Sequence, residues 1–316
     1  MDALAGLLDG PRAQGAFLLR SVLDPPWSVR VEDEAPLTLV AMVRGTAWFL
    51  PDGPDGGEPV ALGPGDIAIA RGPDPYTVAD TPETAVQVVI KPGQVCLSPD
   101  GTKEFALAEF GVRSWGNAAE GATCMVTGTY QLEGEISRRL LDALPPLVVI
   151  RDDERVSPLL PIFAREVVKD EPGQEAVLDR LLDVILISAL RAWFARPDAE
   201  VPAWYRANSD PVVGRALRAL HGDPAYPWTV ANLARAAGVS RAALARRFTE
   251  LLGEPPMTYL TTWRLTLAAD LLREPSATIG AVAEQVGYGS PFALSTAFKR
   301  VRGVSPKEFR ALAVRA

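Results

Sequence analysis

The sequence predicts an α+β protein: an N-terminal antiparallel β-barrel with a helical dimerisation segment, then an all-α module carrying two helix-turn-helix units. Three observations predict it. Short β-branched or apolar runs broken by Gly, Pro and Asp fill roughly residues 20–130. One helical pattern occurs twice in the last third of the chain. The charge divides at the same place: residues 211–316 hold 14 Lys and Arg against 7 Asp and Glu, and the other 210 residues hold 18 against 32. A length of 316 residues fits two domains. The boundaries fall at 1–200 for the front domain, 201–210 for a linker and 211–316 for the helical module.

In the front domain Ser28–Val31, Leu37–Val43, Thr46–Leu50, Asp66–Ala70 and Ala85–Ile90 read as strands, and Cys124–Tyr130 as a closing strand. Pro51–Pro59 and Gly63–Asp66 are turn material. Strands at this spacing suggest a small barrel or sandwich. Trp27, Trp48, Tyr76 and Trp115 then line the interior, either around a small apolar ligand or filling it themselves. From Glu135 the pattern turns helical, with Ile136–Ala143 and Leu159–Lys169 as short helices. Gln174–Phe194 carries apolar residues three and four apart along its whole length. That stripe either packs on the barrel or forms a subunit interface. Ala195–Pro211 has three prolines and no period, and reads as the linker.

The module at 211–316 repeats one design. Thr229–Ala237, Gly238-Val239, then Ser240–Leu252 and Gly253 form the first copy. Thr278–Val286, Gly287-Tyr288-Gly289, then Ser290–Arg302 and Gly303 form the second. Each is a short helix, a glycine turn that needs positive φ, and a longer helix capped by Ser and closed by Gly. Two helices so joined form a helix-turn-helix, whose second helix enters the DNA major groove. Thr261–Arg273 reads as the helix that spaces the two units. In the first long helix Leu244 and Phe248 face the core, which turns Arg241, Ala242, Ala245 and Arg246 outward. Arg246 is the candidate base reader, and Arg241 and Arg247 are candidate phosphate contacts. In the second, Leu294 and Phe298 are the core pair and Pro291, Phe292, Ala293, Ser295 and Thr296 are exposed. Its expected contacts are to the backbone from Ser290, Thr296, Lys299 and Arg300, with apolar contact to thymine methyls.

Composition removes several alternatives. The net charge of −7 argues against nucleic acid taken alone, but the basic surplus of 211–316 sits where DNA would lie. No apolar run reaches membrane-spanning length and the N-terminus has no secretory pattern, so a cytoplasmic protein is expected. Two cysteines and one histidine cannot supply a four-ligand zinc site. Acid–base chemistry through histidine would rest on His221, which a helix C-terminus already explains. Neither an enzyme, a metal nor a cofactor is expected. Cys96 and Cys124 are candidates for a transient regulatory disulfide, or are inert thiols.

The segments LARAAGVSRAALARRFTELLGEPPMTYLTTWRLTLAADLL and IGAVAEQVGYGSPFALSTAFKRVRGVSPKEFR resemble the AraC/XylS family of transcriptional regulators over roughly residues 211–314. The resemblance implies base contacts from Ala242, Ala245 and Arg246 on the first reading helix and Pro291, Phe292 and Thr296 on the second. Long polar side chains, present there in many relatives, are missing from the second helix. The front domain resembles a cupin-type sensor through LVAMVRGTAWF and EPVALGPGDIAIARGPDPYTVAD. Metal-binding cupins use several histidines. Here Tyr76 stands where one is frequent, so the alternative of a cupin-fold enzyme with a helical appendage is disfavoured. The implied partners are double-stranded promoter or operator DNA, a second copy in a homodimer, a small-molecule effector, and RNA polymerase if the protein is an activator.

Overall fold

The computed structural model describes residues 17–52, 57–102, 108–130, 135–196 and 201–313. The expected turn Pro51–Pro59 lies partly outside them, as do residues 1–16 of the front domain and 197–200 before the linker. Two compact units result. One contains the described chain up to Tyr130 and from Leu141 to Arg196; the other contains Glu135–Leu140 and everything from Val201 onward.

Among the described residues, thirteen strands build the first unit: β1 Phe17–Leu23, β2 Ser28–Val31, β3 Leu37–Arg44, β4 Ala47–Pro51, β5 Val60–Leu62, β6 Ile67–Arg71, β7 Tyr76–Ala79, β8 Val88–Lys91, β9 Val95–Leu97, β10 Ala108–Glu109, β11 Ser114–Gly116, β12 Thr123–Tyr130 and β13 Leu147–Ile150. They form a seven-stranded sheet ordered β10-β11-β1-β12-β3-β6-β13 and a six-stranded sheet ordered β5-β4-β7-β2-β8-β9. The expected barrel is therefore two open sheets among the described residues. Alternation explains why they meet face to face. Val40 and Met42 on β3 and Met125 on β12 share one apolar cluster with Val29 and Val31 on β2, Phe49 on β4 and Val78 on β7.

Helix α1 (Glu135–Leu141) is followed by α2 (Leu160–Glu166) and by α3 (Gln174–Phe194). On α3, Leu178, Leu182, Ile185, Leu186, Ala189 and Leu190 are buried. A Cβ at Gly128 would sit 2.7 Å from Leu182 Cδ1, so glycine there admits α3 onto the outer face of β12. The Tyr130 hydroxyl fixes the register by donating to the Leu182 carbonyl at 3.0 Å. The long apolar stripe is thus core within one chain, while Val177 and Val184 on another face are 43% and 45% exposed.

The stretch read as a linker contains a helix, α4 (Ala203–Ser209), with Trp204 and Ala207 buried. Its neighbouring prolines flank the helix: Pro202 precedes its first turn and Pro211 follows its end, so neither removes an internal hydrogen bond. Among the described residues seven helices follow: α5 Val213–Gly222, α6 Val230–Ala237, α7 Arg241–Leu252, α8 Pro256–Leu271, α9 Ile279–Gln285, α10 Pro291–Arg302 and α11 Pro306–Ala313. The spacer α8 begins five residues before the expected Thr261, because Pro256 occupies its first turn where a missing N–H costs nothing. His221, in the last turn of α5, is buried, stacks on Trp263 at 4.4 Å and bonds the Tyr259 hydroxyl at 2.8 Å. It is a packing group between α5 and α8.

Candidate nucleic-acid interface and effector cavity

Local chemistry sets each helix-turn-helix. Thr229 Oγ1 accepts from the Asn232 amide at 3.2 Å while Asn232 Oδ1 accepts from the Thr229 amide at 2.7 Å, a reciprocal cap on α6. Gly238 closes α6 at φ +74°, and Arg215 donates to the end carbonyl of Ala237 at 2.7 and 3.1 Å. Ser240 then caps α7 through the Ala243 amide at 3.2 Å, and Gly253 ends it at φ +78°. The second unit repeats the scheme with Thr278 on the Ala281 amide, Ser290 on the Ala293 amide and Gly303 at φ +77°. In its turn the positive φ falls on Gly287, at +80°, where a Cβ would also lie 2.6 Å from the Ala225 carbonyl oxygen.

These caps aim the reading helices. Leu244 and Phe248 are fully buried, so Ala242 and Arg246 stand on the opposite side of α7 and are exposed. Arg241 is exposed at the first turn and Ala245 is half-buried at the flank. Thr249 and Glu250 extend the outer ridge, a continuation the sequence reading did not name. The Arg246 guanidinium, its side chain 77% exposed, lies 3.9 Å from Glu250 and is otherwise presented to solvent.

Arg247 is held by a carboxylate. Its Nε and Nη2 both donate to Asp210 Oδ2, at 2.8 and 2.5 Å. Asp210 Oδ1 also accepts from the Val212 and Val213 amides at 2.9 Å each, which holds the entry to α5. Burial works to raise the Asp210 carboxyl, but the bonds from Arg247 and these amides outweigh it and hold it below the ordinary carboxylate range. Arg247 is therefore a fastening between α7 and the start of α5.

On α10, Pro291, Phe292, Thr296, Lys299 and Arg300 are exposed and Ser290 opens the helix as its cap. Phe292 is 81% exposed. Thr296 Oγ1 donates back to the Phe292 carbonyl at 2.9 Å, and Ser295 Oγ to Pro291 at 2.8 Å, so both hydroxyl protons are spent inside the helix. The leading turn of α10 thus offers an aromatic ring and few donors. Lys299 and Arg300 make no ion pair among the described residues, which leaves them available to a phosphate.

Other cations of this unit are held internally. Arg264 donates to the Pro224 and Tyr226 carbonyls at 2.7 and 2.8 Å, and Arg310 to Leu272 and Ala277 at 3.2 and 2.5 Å. Arg302 pairs with Glu135 of α1 at 2.9 Å. The sequence counted these side chains among the basic surplus and gave no sign that they fasten loops.

The first unit has a narrow slot between its sheets, with about 480 Å³ of empty space including the mouth. Of the four expected aromatics, Tyr76 and Trp115 line it. Trp27 is buried elsewhere in the same core, and Trp48 lies outside it because β4 turns its neighbour Phe49 inward. Sequence reading missed Thr127 and Thr129, although alternation from Met125 places both on the inner face of β12. Cys96 packs partly against this core, whereas buried Cys124 lies outside it, and both are free thiols. Burial pushes the Cys96 thiol up, which disfavours a thiolate. Among the described residues no cluster of three His, Cys, Asp or Glu is placed to hold a metal ion, and no helix is long and apolar enough to cross a membrane.

The cupin family model matches residues 2–195 and a helix-turn-helix domain model matches residues 233–312. A putative AraC-like transcription regulator of Streptomyces lividans is 35% identical over 314 residues, with 98% of each chain covered. The chain belongs to the AraC-like transcription regulators. The similarity extends to the HTH-type transcriptional regulator AlkR of Acinetobacter baylyi, 36% identical over 177 residues, which covers 54% of this AraC-like chain and 58% of AlkR. Among solved structures, the DNA-binding domain of AdpA in complex with a target DNA is 36% identical, covering 33% of this chain and 93% of that one at a TM-score of 0.31. In this AraC-like regulator, α6–α7 and α9–α10 are the two helix-turn-helix units of a DNA-binding domain.

Proposed function

We propose that this regulator reads a specific operator chiefly through α7, with Arg246 as base reader, and that a small effector in the front unit controls it. The observation that carries the reading is the arrangement of α7. Its buried Leu244 and Phe248 present Ala242, Ala245 and Arg246 on an accessible ridge, opened by the exposed Arg241. Helix α10 adds Phe292 toward thymine methyls, Pro291 and Thr296 beside it, the Ser290 end toward the backbone, and Lys299 and Arg300 to phosphates. The intersheet slot supports a ligand as the signal, and the raised Cys96 thiol weighs against an oxidant acting on Cys96 and Cys124. The protein acts in the cytoplasm as a homodimer, with the exposed Val177 and Val184 of α3 as the candidate contact, and engages RNA polymerase where it activates.

The test is a salt titration of full-length protein on its own upstream DNA against a scrambled duplex of equal length. Tighter binding to the native sequence, weakening as salt rises, is expected. Equal binding to both duplexes, with and without cell extract as a source of effector, would remove the specific-operator reading.

A further inference from the structure

We infer that α10 reads the 5-methyl group of a pyrimidine through Phe292, so that thymine and 5-methylcytosine are equivalent to it while cytosine is not. The inference rests on the reading of α10 as a helix that touches operator DNA, and it names the chemistry recognised there. Methylation of a cytosine under α10 then raises affinity.

Hydrogen-bond readout is largely closed to the leading turns of this helix. From Pro291 to Thr296 the sequence is PFALST, with none of the Arg, Lys, Asn, Gln, Asp or Glu side chains that pair with base edges. The hydroxyls of Ser295 and Thr296 donate to the Pro291 and Phe292 carbonyls at 2.8 and 2.9 Å, so they can accept but no longer donate. A thymine–adenine pair and a 5-methylcytosine–guanine pair each present one amino donor in the major groove, so an accepting hydroxyl finds a partner in either. Backbone donors are reduced in the same way. Pro291 has no N–H, and the Ala293 amide donates to Ser290 Oγ at 3.2 Å. Lys299, the first cation of the helix, stands seven residues after Phe292. That is about 10 Å along the axis, past the bases under the leading turn.

What the leading turn presents is apolar. Phe292 is 81% exposed, against 58% for Leu312, the next most exposed large apolar side chain among the described residues. Exposed Pro291 and Ala293 flank it, and Thr296 follows one turn on. Leu294 and Phe298 are fully buried, which sets the side of α10 that carries the phenyl ring. A phenyl ring in water gains by covering another apolar group, and the one such group on a base edge in the major groove is a pyrimidine 5-methyl. The ring meets the methyl and not the hydrogen-bonding edge beside it. Replacing thymine by 5-methylcytosine therefore keeps the contact, and replacing it by cytosine loses it.

The experiment is competition binding of the full-length protein to its own upstream duplex, with each thymine replaced in turn by deoxyuridine, which removes the methyl and leaves base pairing intact. At one or two positions the replacement should weaken the wild type about fourfold, the value of one buried methyl group, and leave Phe292→Ala unaffected. At those positions the wild type should bind a 5-methylcytosine–guanine pair about fourfold tighter than cytosine–guanine, and Phe292→Ala should bind the two alike. Since Phe292 is exposed, Phe292→Ala should keep the wild-type melting temperature, which separates loss of methyl reading from loss of fold. Absence of any deoxyuridine penalty that Phe292→Ala removes, or equal wild-type affinity for methylated and unmethylated cytosine at those positions, would overturn the inference and leave specific binding through α7 standing. Equal binding of the native and scrambled duplexes would remove the operator reading and the inference with it.

Discussion

Arg246 and Arg247 are adjacent on α7, and their neighbours assign them different roles. Among the described residues Arg246 pairs only with Glu250, at 3.9 Å, so its truncation removes little from the fold. Arg246→Ala should cost about 1–3 kcal/mol of operator affinity, with non-specific affinity nearly unchanged. Competition binding against scrambled DNA reads this directly; an unchanged specificity ratio would assign base reading elsewhere. Arg247 is joined to Asp210, which also caps α5. Loss of that cap in Asp210→Ala should lower stability by about 1 kcal/mol, measured by denaturant unfolding. The pH dependence has a definite sign. A carboxyl held below its unfolded value adds stability that is present above the unfolded pKa of about 4 and is lost as pH falls through the depressed folded value. Below about pH 4 the wild type should therefore lose stability faster than Asp210→Asn, which has no such proton to take up. Parallel acid limbs for the two proteins would mean that Asp210 is not depressed.

At the scale of elements, the two glycine turns look alike in sequence and differ in space. Gly238 has φ +74° and the nearest atom to an added Cβ is Arg215 Nη2 at 3.7 Å, so Gly238→Ala meets only backbone strain, about 1–2 kcal/mol. At Gly287 the same φ penalty is joined by approaches of 2.6 and 2.7 Å to backbone atoms of Ala225, which cannot swing aside as a side chain can. Gly287→Ala should be the more damaging by at least about 1 kcal/mol in thermal or urea unfolding. Equal losses would show that the Ala225 loop yields. This difference also marks what sequence could carry. The helices of both units were legible because caps, glycines and a 3.6-residue period are local signals. The clash at Gly287 depends on a residue about 60 positions away, and periodicity carries no such information. The same reason explains the linker: three prolines read as a break, while the burial of Trp204 that stabilises α4 is tertiary. In the front unit the strand runs were legible, but whether they close into a barrel or end at open edges is set by long-range pairing. Of the four aromatics, Tyr76 and Trp115 line the slot, and the polar lining from Thr129 follows from alternation only once Met125 is known to face inward.

Across the whole molecule, the basic surplus of residues 211–316 is a poor count of what DNA can use. Of those 14 cations, Arg215, Arg264 and Arg310 hold loop or helix-end carbonyls, Arg247 holds Asp210, and Arg302 holds Glu135 of a helix contributed from between β12 and β13. Such side chains release no counterions when DNA binds, because their charge is already opposed or turned into the fold. On the two reading helices the exposed cations are Arg241, Arg246, Lys299 and Arg300; the other described cations of this stretch, Arg218, Arg235, Arg273 and Lys307, lie outside α7 and α10. With each neutralised phosphate contributing about −0.9 to the slope of log K against log salt, contacts confined to the two reading helices should give a slope of roughly −3 to −4 per bound chain. A value near −10 would be expected if most of the basic residues touched DNA. The variants divide the same way. Arg241→Ala, Lys299→Ala and Arg300→Ala should each reduce the slope by about one and leave the melting temperature unchanged. Arg264→Ala and Arg310→Ala should leave the slope intact and lower the melting temperature, since each releases two carbonyls that fasten loops. A slope that falls in Arg264→Ala or Arg310→Ala without loss of stability would place those arginines on DNA and return the basic surplus to its simpler meaning.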